Sequence, residues 1–329
     1  MMLLGLVPVA ASVMLALASG GLSRRLAPAL AVPLLTLLAL ATSLATGLVL
    51  CVAAFGALAQ LPFLAALGGW SGEALAPGNL APGWGVVAGG IAAALLAAAL
   101  VVTVRAARSL AQAGRACRQL AGPDRLVITR DDRPAAYAVP SRAGAIVVST
   151  GMLALLSAPE RQALLAHEEA HLRHRHAVYV LLADLAAAAN PLLRPLAGQV
   201  RLAVELQADE DAARFTGDRR TVARALARAS LAVTGHSPGG SLAMAQTEAG
   251  ARIRALTGPP RARRPWAAAA AVVLIAASGA TALMMTWAMH QRFETAQAVY
   301  AQAVYAPTAH APTVYAQTVY AEAAHAQPR

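Results

Sequence analysis

The sequence predicts an α-helical membrane protein with an α+β domain, mostly α, between its third and fourth membrane spans. Three observations predict this fold class: four long apolar stretches, a charged central region with short β-rich runs, and a helix with closely spaced histidines. Of the 329 residues, 58% are hydrophobic and only 13% are charged. Because soluble globular proteins carry about 25% charged residues, the composition favours a membrane protein.

Four stretches are long and apolar enough to cross a bilayer, which takes about 20 residues in a helix. They are residues 2–20, 32–55, 86–104 and 266–289. The first has the length of a signal peptide, but Arg24 and Arg25 follow its apolar part instead of preceding it, which favours a retained span. We therefore expect three spans within residues 1–104 and a fourth at 265–290, and leave open whether 56–70 is re-entrant.

Arginine placement predicts the orientation in the membrane. All 27 basic residues are Arg, and 23 of them lie between Arg105 and Arg264. Arg24 and Arg25 separate the first two spans, whereas residues 56–85 contain no basic residue. Positive residues mark the cytoplasmic side, so we expect a plasma-membrane protein whose 105–264 domain is cytoplasmic. This orientation in the membrane explains the net charge of +11. We therefore expect no nucleic-acid partner.

The central region begins with three short runs, 125–130, 135–140 and 143–149, which Asp, Pro and Ser residues separate. Such runs predict a small hairpin or meander. Next, Ser157 and Glu160 form the pattern of a capping box. We expect the helix that they open to continue through His171 to about His176.

The candidate site begins at His167, where the sequence reads His-Glu-Glu-Ala-His. Residues four apart lie on one face of a helix, so His167 and His171 can bind one ion with Glu168 beside them. Neutral imidazoles are good zinc ligands, and a catalytic zinc site keeps one position open for water. This pattern predicts Glu168 as the general base.

A third ligand is expected from a second helix, where Glu205 and Asp209 are four residues apart. Glu205 can complete a His2Glu site, and Asp209 can orient a ligand imidazole through a hydrogen bond. His174 is a rival ligand by position, but it lies a further turn along. We expect His174 and His176 to form a basic, solvated helix end together with the neighbouring arginines.

Residues 161–215 resemble the gluzincin membrane peptidases, most closely the BlaR/MecR-type proteases and more distantly the HtpX and CAAX prenyl-protease group. The segments that carry the resemblance are LLAHEEAHLRHRH, NPLLRPL and ELQADEDAARF. Three spans before the domain and one after it also resemble the BlaR/MecR arrangement. The resemblance implies a zincin-type catalytic domain with one Zn²⁺ per chain, His167, His171 and Glu205 as ligands, Glu168 as general base, and Asp209 as the partner of a ligand histidine.

Arg252 matches an arginine late in such domains, and the resemblance suggests support of substrate or transition state. An ion pair with Glu210 and Asp211 remains an equal alternative. The chain departs from the BlaR/MecR pattern after the last span, where a five-residue repeat from Ala296 forms a tail at 291–329 and no Ser-x-x-Lys motif occurs. Penicillin sensing is therefore not expected, and we expect the tail to be disordered.

Two functional hypotheses follow. The first is a membrane-embedded zinc metalloendopeptidase that cuts a protein or peptide substrate, either a transcriptional repressor or a membrane protein, in regulatory proteolysis. The second is a non-catalytic membrane regulator that retains the zinc site for folding. Because a structural zinc site normally has four protein ligands, the retained Glu168 and only three apparent ligands favour the enzyme.

Overall fold

The structure is a computed structural model that describes residues 2–77, 80–120, 125–140, 144–234, 242–259 and 264–305. The described part is mostly helical and contains a three-stranded sheet. The elements are α1 (Met2–Arg25), α2 (Pro28–Leu58), α3 (Pro62–Gly68), α4 (Gly72–Leu75), α5 (Pro82–Leu120), β1 (Leu126–Thr129), β2 (Ala136–Val139), β3 (Ala145–Ser149), α6 (Thr150–Leu155), α7 (Ala158–Arg173), α8 (His176–Ala189), a 3-10 turn (Pro191–Leu193), α9 (Arg194–Thr216), α10 (Arg219–Thr234), α11 (Leu242–Thr257) and α12 (Pro265–Tyr305).

Four of these helices, α1, α2, α5 and α12, have the length and apolar composition needed to cross a membrane. They contain the four stretches that the sequence singles out, three before the central domain and one after it. The predicted fold class is therefore confirmed: a mostly helical chain with a small sheet and four candidate membrane helices.

The chain divides into two compact units, and the first comprises Met1–Pro8, Thr46–Ala94 and Ala280–Arg329. Within it, the Phe293 ring stacks on Phe55 with centroids 5.0 Å apart and meets the edge of Trp70 at 5.1 Å. The indole N–H of Trp70 donates to the Ala59 carbonyl at 2.8 Å. The segment in question at 56–70 ends α2 and forms the seven-residue helix α3.

The start of the repeat tail differs from expectation. Helix α12 continues to Tyr305, so the first two repeat units are helical. The physical reasons are the good helix propensity of their Ala and Gln residues and the burial of Ala296 in a core with Ala59 and Leu75. Expected disorder is therefore wrong for residues 291–305, and the remaining repeat units lie outside the described residues.

The second unit, Val9–Ala45 and Leu95–Gly279, contains the candidate site. One contiguous apolar core in this unit joins residues of α1, α2 and the start of α12 to the hairpin formed by α8 and α9. Leu35 and Leu38 of α2 and Leu196 and Val200 of α9 are fully buried in it. Candidate membrane helices therefore share a core with α9, the helix that carries Glu205.

The sheet has the strand order β1-β3-β2, with β1 parallel and β2 antiparallel to β3. The expected hairpin is confirmed for β2 and β3, which are consecutive and antiparallel. The alternative, a meander, is wrong, because β1 pairs in parallel with β3 and not with β2. Strand β3 is buried along its whole length, whereas β1 and β2 are buried on alternate residues or less. The most buried strand therefore takes the centre, and β2 lies at an edge of this sheet.

Helix α7 starts as the sequence predicts but ends earlier. The backbone N–H and the hydroxyl of Ser157 donate to the Glu160 carboxylate at 2.9 and 2.8 Å, which confirms the capping box. The helix stops at Arg173, and Arg175 takes a left-handed conformation with φ 52°. The expected extension to His176 is wrong, because this turn makes His176 the first residue of α8.

Candidate metal centre

Three potential metal ligands converge between α7 and α9. The Nε2 atoms of His167 and His171 are 3.1 Å apart. Glu205 places Oε2 at 3.5 Å from Nε2 of His167 and Oε1 at 3.7 Å from Nε2 of His171. A tetrahedral ion with bonds of about 2.1 Å has ligand-to-ligand edges of about 3.4 Å. These three side chains, which are the only such group in the described part of the chain, therefore fit one Zn²⁺.

The ring of His167 is held from its other side by a carboxylate. Its Nδ1 lies 3.0 Å from Oδ1 of Asp209, one helical turn beyond Glu205. Asp209 is in turn bound by Arg252 of α11, whose Nε and Nη2 donate to the two carboxylate oxygens at 2.8 and 2.7 Å. A third nitrogen of Arg252, Nη1, lies 2.8 Å from Oε2 of Glu205. Arg252 therefore fixes both acidic residues of α9.

The ring of His171 is held by a different kind of partner. Its Nδ1 lies 3.0 Å from Nδ1 of His176, and Nε2 of His176 lies 3.3 Å from Oε1 of Gln207. His176 is only 1% exposed, so the expected solvated position for this residue is wrong. The turn at Arg175 directs α8 back along α9 and buries its first side chain against the site.

Glu168 directly follows His167 on α7 and lines the same space as the two histidines. It is 7% exposed, and its carboxylate accepts a hydrogen bond from the backbone N–H of Ala138 on the edge strand β2. Burial raises the pKa of Glu168, and the neighbouring Glu205 carboxylate acts in the same direction. A carboxylate with a raised pKa suits a group that takes up and returns a proton near neutral pH.

The two histidines differ in their protonation. Burial disfavours the charged ring of His167, but the hydrogen bonds to Asp209 and Glu205 prevail and raise its pKa to about 9. Burial lowers the pKa of His171 to about 4. Glu205 is also buried, yet the His167 hydrogen bond and the Arg252 charge lower its pKa to about 2. Because a metal requires neutral imidazoles and an ionised carboxylate, binding of an ion here would displace a proton from His167.

A cleft of about 830 Å³ opens over these residues. Residues 134–138 and Pro140, on and beside the edge strand β2, form one wall, and apolar residues of α10 form another. Glu248 and Arg252 of α11 also line it, as do Val180 of α8 and Val204 of α9. The cleft is large enough for several residues of an extended peptide.

All six residues that the sequence singles out meet at this site: His167, Glu168, His171, Glu205, Asp209 and Arg252. The alternative ion pair of Arg252 with Glu210 and Asp211 is wrong. Glu210 instead binds Arg219 at 2.8 Å, and Asp211 binds His174 at 2.7 Å. His174 therefore faces away from the metal ligands, toward the opposite side of α9.

Sequence reasoning missed His176, Gln207 and the contribution of β2. His176 is five residues from His171, a spacing that places two side chains on different faces of one continuous helix. Only the break at Arg175 brings the two rings together. The one available signal was a lone histidine directly before the apolar run AVYVLLADLAAAA.

A helix pair with two histidines and a glutamate around one point, beside an edge strand, defines a metallopeptidase type of site. The comparison with protein-family models agrees with this class. Residues 102–190 match the family model described as Peptidase family M48, a segment that contains His167, Glu168 and His171. The match supports a metallopeptidase of that family. Among curated proteins and among solved structures, the comparisons found no match to this chain.

Proposed function

We propose that this protein is a membrane-embedded, zinc-dependent endopeptidase with the BlaR/MecR-type order of three spans, catalytic domain and fourth span. The observation that carries the proposal is the convergence of His167, His171 and Glu205 at tetrahedral spacing with Glu168 beside them. Three protein ligands leave one coordination position for water, as in catalytic zinc sites, whereas structural sites use four. The M48 match supports the same chemistry.

Each residue has a distinct task in peptide hydrolysis. Zn²⁺ held by the three ligands would lower the pKa of a water to about 7 and polarise the scissile carbonyl. Glu168 accepts the proton of the attacking water and delivers it to the leaving amine. Asp209 keeps the His167 ring oriented, and Arg252 keeps Asp209 and Glu205 in place.

The edge strand β2 supplies a place for an extended substrate. In the described part of the chain, β2 pairs with β3 on one side only, and its residues line the cleft. Ala138 donates its backbone N–H to Glu168, so this edge of β2 points toward the general base. A peptide that adds to a strand edge gains main-chain hydrogen bonds irrespective of its sequence. The scissile bond would then lie beside Glu168.

Between the two expected substrate classes, we favour a membrane protein or another polypeptide held at the membrane. Val204 lines the cleft and is also buried in the core shared with α1, α2 and α12, and Val180 packs against that core. One layer of side chains therefore separates the cleft from helices that we propose to be membrane spans. A soluble repressor would have to reach the same position from solution.

We also propose that the protein lies in the plasma membrane with the catalytic domain on the cytoplasmic side. The support is the distribution of arginine around the span ends. Arg25 at the end of α1 lies over the ring of Trp266 at the start of α12, 5.1 Å from its centroid. Trp is enriched at membrane–water interfaces and Arg on the cytoplasmic side, so this contact supports the proposed position of the two helix ends.

The deciding experiment compares zinc content and peptide cleavage for purified wild-type protein and Glu168→Gln. We expect both proteins to bind about one zinc, as a single catalytic site requires, and only the wild type to cut. Glu169→Gln is the matched control, because Glu169 neighbours Glu168 on α7 but lines a separate groove with Arg173. It should cut like the wild type.

The other outcomes separate the hypotheses. Zinc binding without cleavage by the wild type, on membrane-anchored as well as soluble substrates, would favour the non-catalytic regulator. Equal cleavage by the wild type and Glu168→Gln would remove Glu168 as general base. Absence of zinc from both proteins would overturn the proposed function.

A further inference from the structure

The two histidine ligands are supported in chemically different ways. His167 has a carboxylate partner, Asp209, whereas His171 faces the imidazole of His176. His176 lies outside the His-Glu-x-x-His motif, on the first turn of the next helix. Its two ring nitrogens face His171 and Gln207, so it reaches the metal site only through another side chain.

The donor and acceptor roles in this chain of rings follow from the ligand role of His171. Its Nε2 points at the other ligands, 3.1 Å from Nε2 of His167, and must keep its lone pair for the ion. The proton of His171 is then on Nδ1 and is donated to Nδ1 of His176 over 3.0 Å. His176 therefore carries its own proton on Nε2 and donates it to Oε1 of Gln207 over 3.3 Å.

We propose that His176 is a positioning residue that selects the metal-binding tautomer of His171 and, with Gln207, fixes the orientation of its ring. The assignment rests on the proposed function, since it concerns the same metal site. An acceptor on the second nitrogen of a ligand histidine fixes its tautomer and ring plane, and loss of such a partner typically lowers metal affinity 10- to 100-fold.

The burial of His176 supports this role over a merely space-filling one. A buried imidazole with an unpaired nitrogen is destabilising, and both nitrogens of His176 are paired. Gln207, which accepts from His176, is neutral. The residues that hold the His171 ring therefore add no negative charge to the site. His167 is the ligand histidine that has a carboxylate partner, Asp209, and the positive charge of Arg252 balances that carboxylate.

Helix geometry explains why this partner comes from α8. The left-handed residue Arg175 lets α8 start two residues after α7 ends. The first side chain of α8, His176, therefore contacts the ring of His171 in the last turn of α7. Gln207 lies on α9 between Glu205 and Asp209. Three helices therefore contribute to the orientation of one ligand ring.

The test measures zinc affinity directly, by competition with a chelator, for the wild type and three variants. His176→Phe keeps the volume and removes the acceptor, and we expect a 10- to 100-fold weaker zinc affinity. His176→Asn places an amide oxygen near the position of Nδ1 and should recover most of that loss. His174→Ala is the matched control, because His174 stacks on His176 at 5.4 Å but binds Asp211 instead of a ligand. It should bind zinc like the wild type.

The absorption spectrum of the Co²⁺-substituted proteins is the second measurement, and it reports ligand geometry without activity. We expect His176→Phe to change the spectrum and His176→Asn to restore it. If His176→Phe has the zinc affinity and the Co²⁺ spectrum of the wild type, the assignment of His176 is overturned. This holds even if the wild type binds zinc and cuts peptide, so the proposed function can stand when this assignment fails.

A further variant, Gln207→Leu, keeps the proposal testable if His176→Phe does not fold. It removes the acceptor of the His176 proton and leaves both histidines in place, so we expect a weaker zinc affinity and a changed Co²⁺ spectrum. Wild-type values of both quantities for Gln207→Leu would then reject the assignment.

Discussion

At the scale of single residues, the site depends on a few buried hydrogen bonds and ion pairs around the three candidate metal ligands. Arg252 joins the two acidic residues of α9, because its guanidinium binds both oxygens of Asp209 and one oxygen of Glu205. Sequence resemblance suggested support of the substrate for this residue. The contacts indicate a different task, which is to hold the two acidic residues of α9 in the positions that the metal and His167 require.

The first prediction concerns Arg252→Lys. Lysine keeps the charge but cannot form the forked contact with a carboxylate, so Asp209 and Glu205 lose their common anchor. We expect zinc affinity and kcat/KM to fall together, by about 10- to 100-fold. Chelator competition and peptide cleavage measure the two effects on the same preparation.

Arg254→Lys provides the control, because Arg254 is exposed on the same helix and its Nε donates to the Gly250 carbonyl of its own helix. It should leave both quantities unchanged. A rise in KM for Arg252→Lys at unchanged zinc affinity would instead assign Arg252 to substrate binding.

At the scale of elements, α7 is held at its start by the capping box and at its end by the turn into α8. Glu160 is 3% exposed and binds Ser157 and, at 2.8 Å, Nη1 of Arg228 on α10. Although burial alone raises the pKa of a carboxyl group, the Ser157 hydrogen bonds and the Arg228 charge prevail and lower the pKa of Glu160. The start of the helix that carries the metal ligands is therefore tied to α10.

The second prediction is a pH dependence of stability that depends on Glu160. The folded-state pKa lies below the ordinary value of 4.5, so the ionised carboxylate stabilises the fold above that pH. This contribution is lost as the pH falls below 4.5 toward the folded-state pKa. Glu160→Gln should therefore unfold at a lower temperature than the wild type near pH 7, and the difference should shrink below about pH 4.5.

Thermal unfolding by circular dichroism, with chelator present so that the metal ligands do not contribute, measures this difference. Arg228→Met removes the guanidinium partner and should reduce the same pH-dependent component. A difference between Glu160→Gln and the wild type that stays constant from about pH 7 to about pH 3 would contradict the assignment.

At the scale of the whole molecule, the relevant feature is the core that α8 and α9 share with α1, α2 and α12 in the second unit. Asn190, at the end of α8, donates from Nδ2 to the Ser12 hydroxyl of α1 at 2.8 Å. Helices α8 and α9 are therefore held against candidate membrane helices by apolar burial and by a buried hydrogen bond. This position of the cleft supports the proposed preference for substrates close to the bilayer.

The third prediction tests that preference with a substrate anchored by one membrane helix and followed by a flexible linker. The linker carries three copies of one cleavable sequence, about 5, 20 and 40 residues from the anchor. Because each linker residue spans at most about 3.6 Å, the copies sample different distances from the bilayer. With both proteins in one proteoliposome, we expect the copy nearest the anchor to be cut first.

All three copies are on one molecule, so their local concentrations differ only through their distance from the membrane. A substrate with the order of its linker reversed is the control, and the preference should again follow position. Equal cleavage of the three copies would show that the cleft is reached from solution, as a soluble repressor requires.

The sequence by itself determined the features that depend on local periodicity. Four apolar stretches predicted the four candidate membrane helices, since span length follows from bilayer thickness. The capping box predicted the start of α7, and the i, i+4 spacing predicted the shared face of His167 and His171. Each of these depends on interactions within one turn or one helix, which the residues themselves encode.

Only the tertiary structure decided the features that depend on contacts between distant segments. The central place of β3 follows from burial on both faces of the sheet, and the role of His176 follows from one left-handed residue at Arg175. Arg252 meets Asp209 across 43 positions of sequence, and Val204 links the cleft to the core shared with α2. No local pattern specifies such contacts, because they arise from the packing of whole helices.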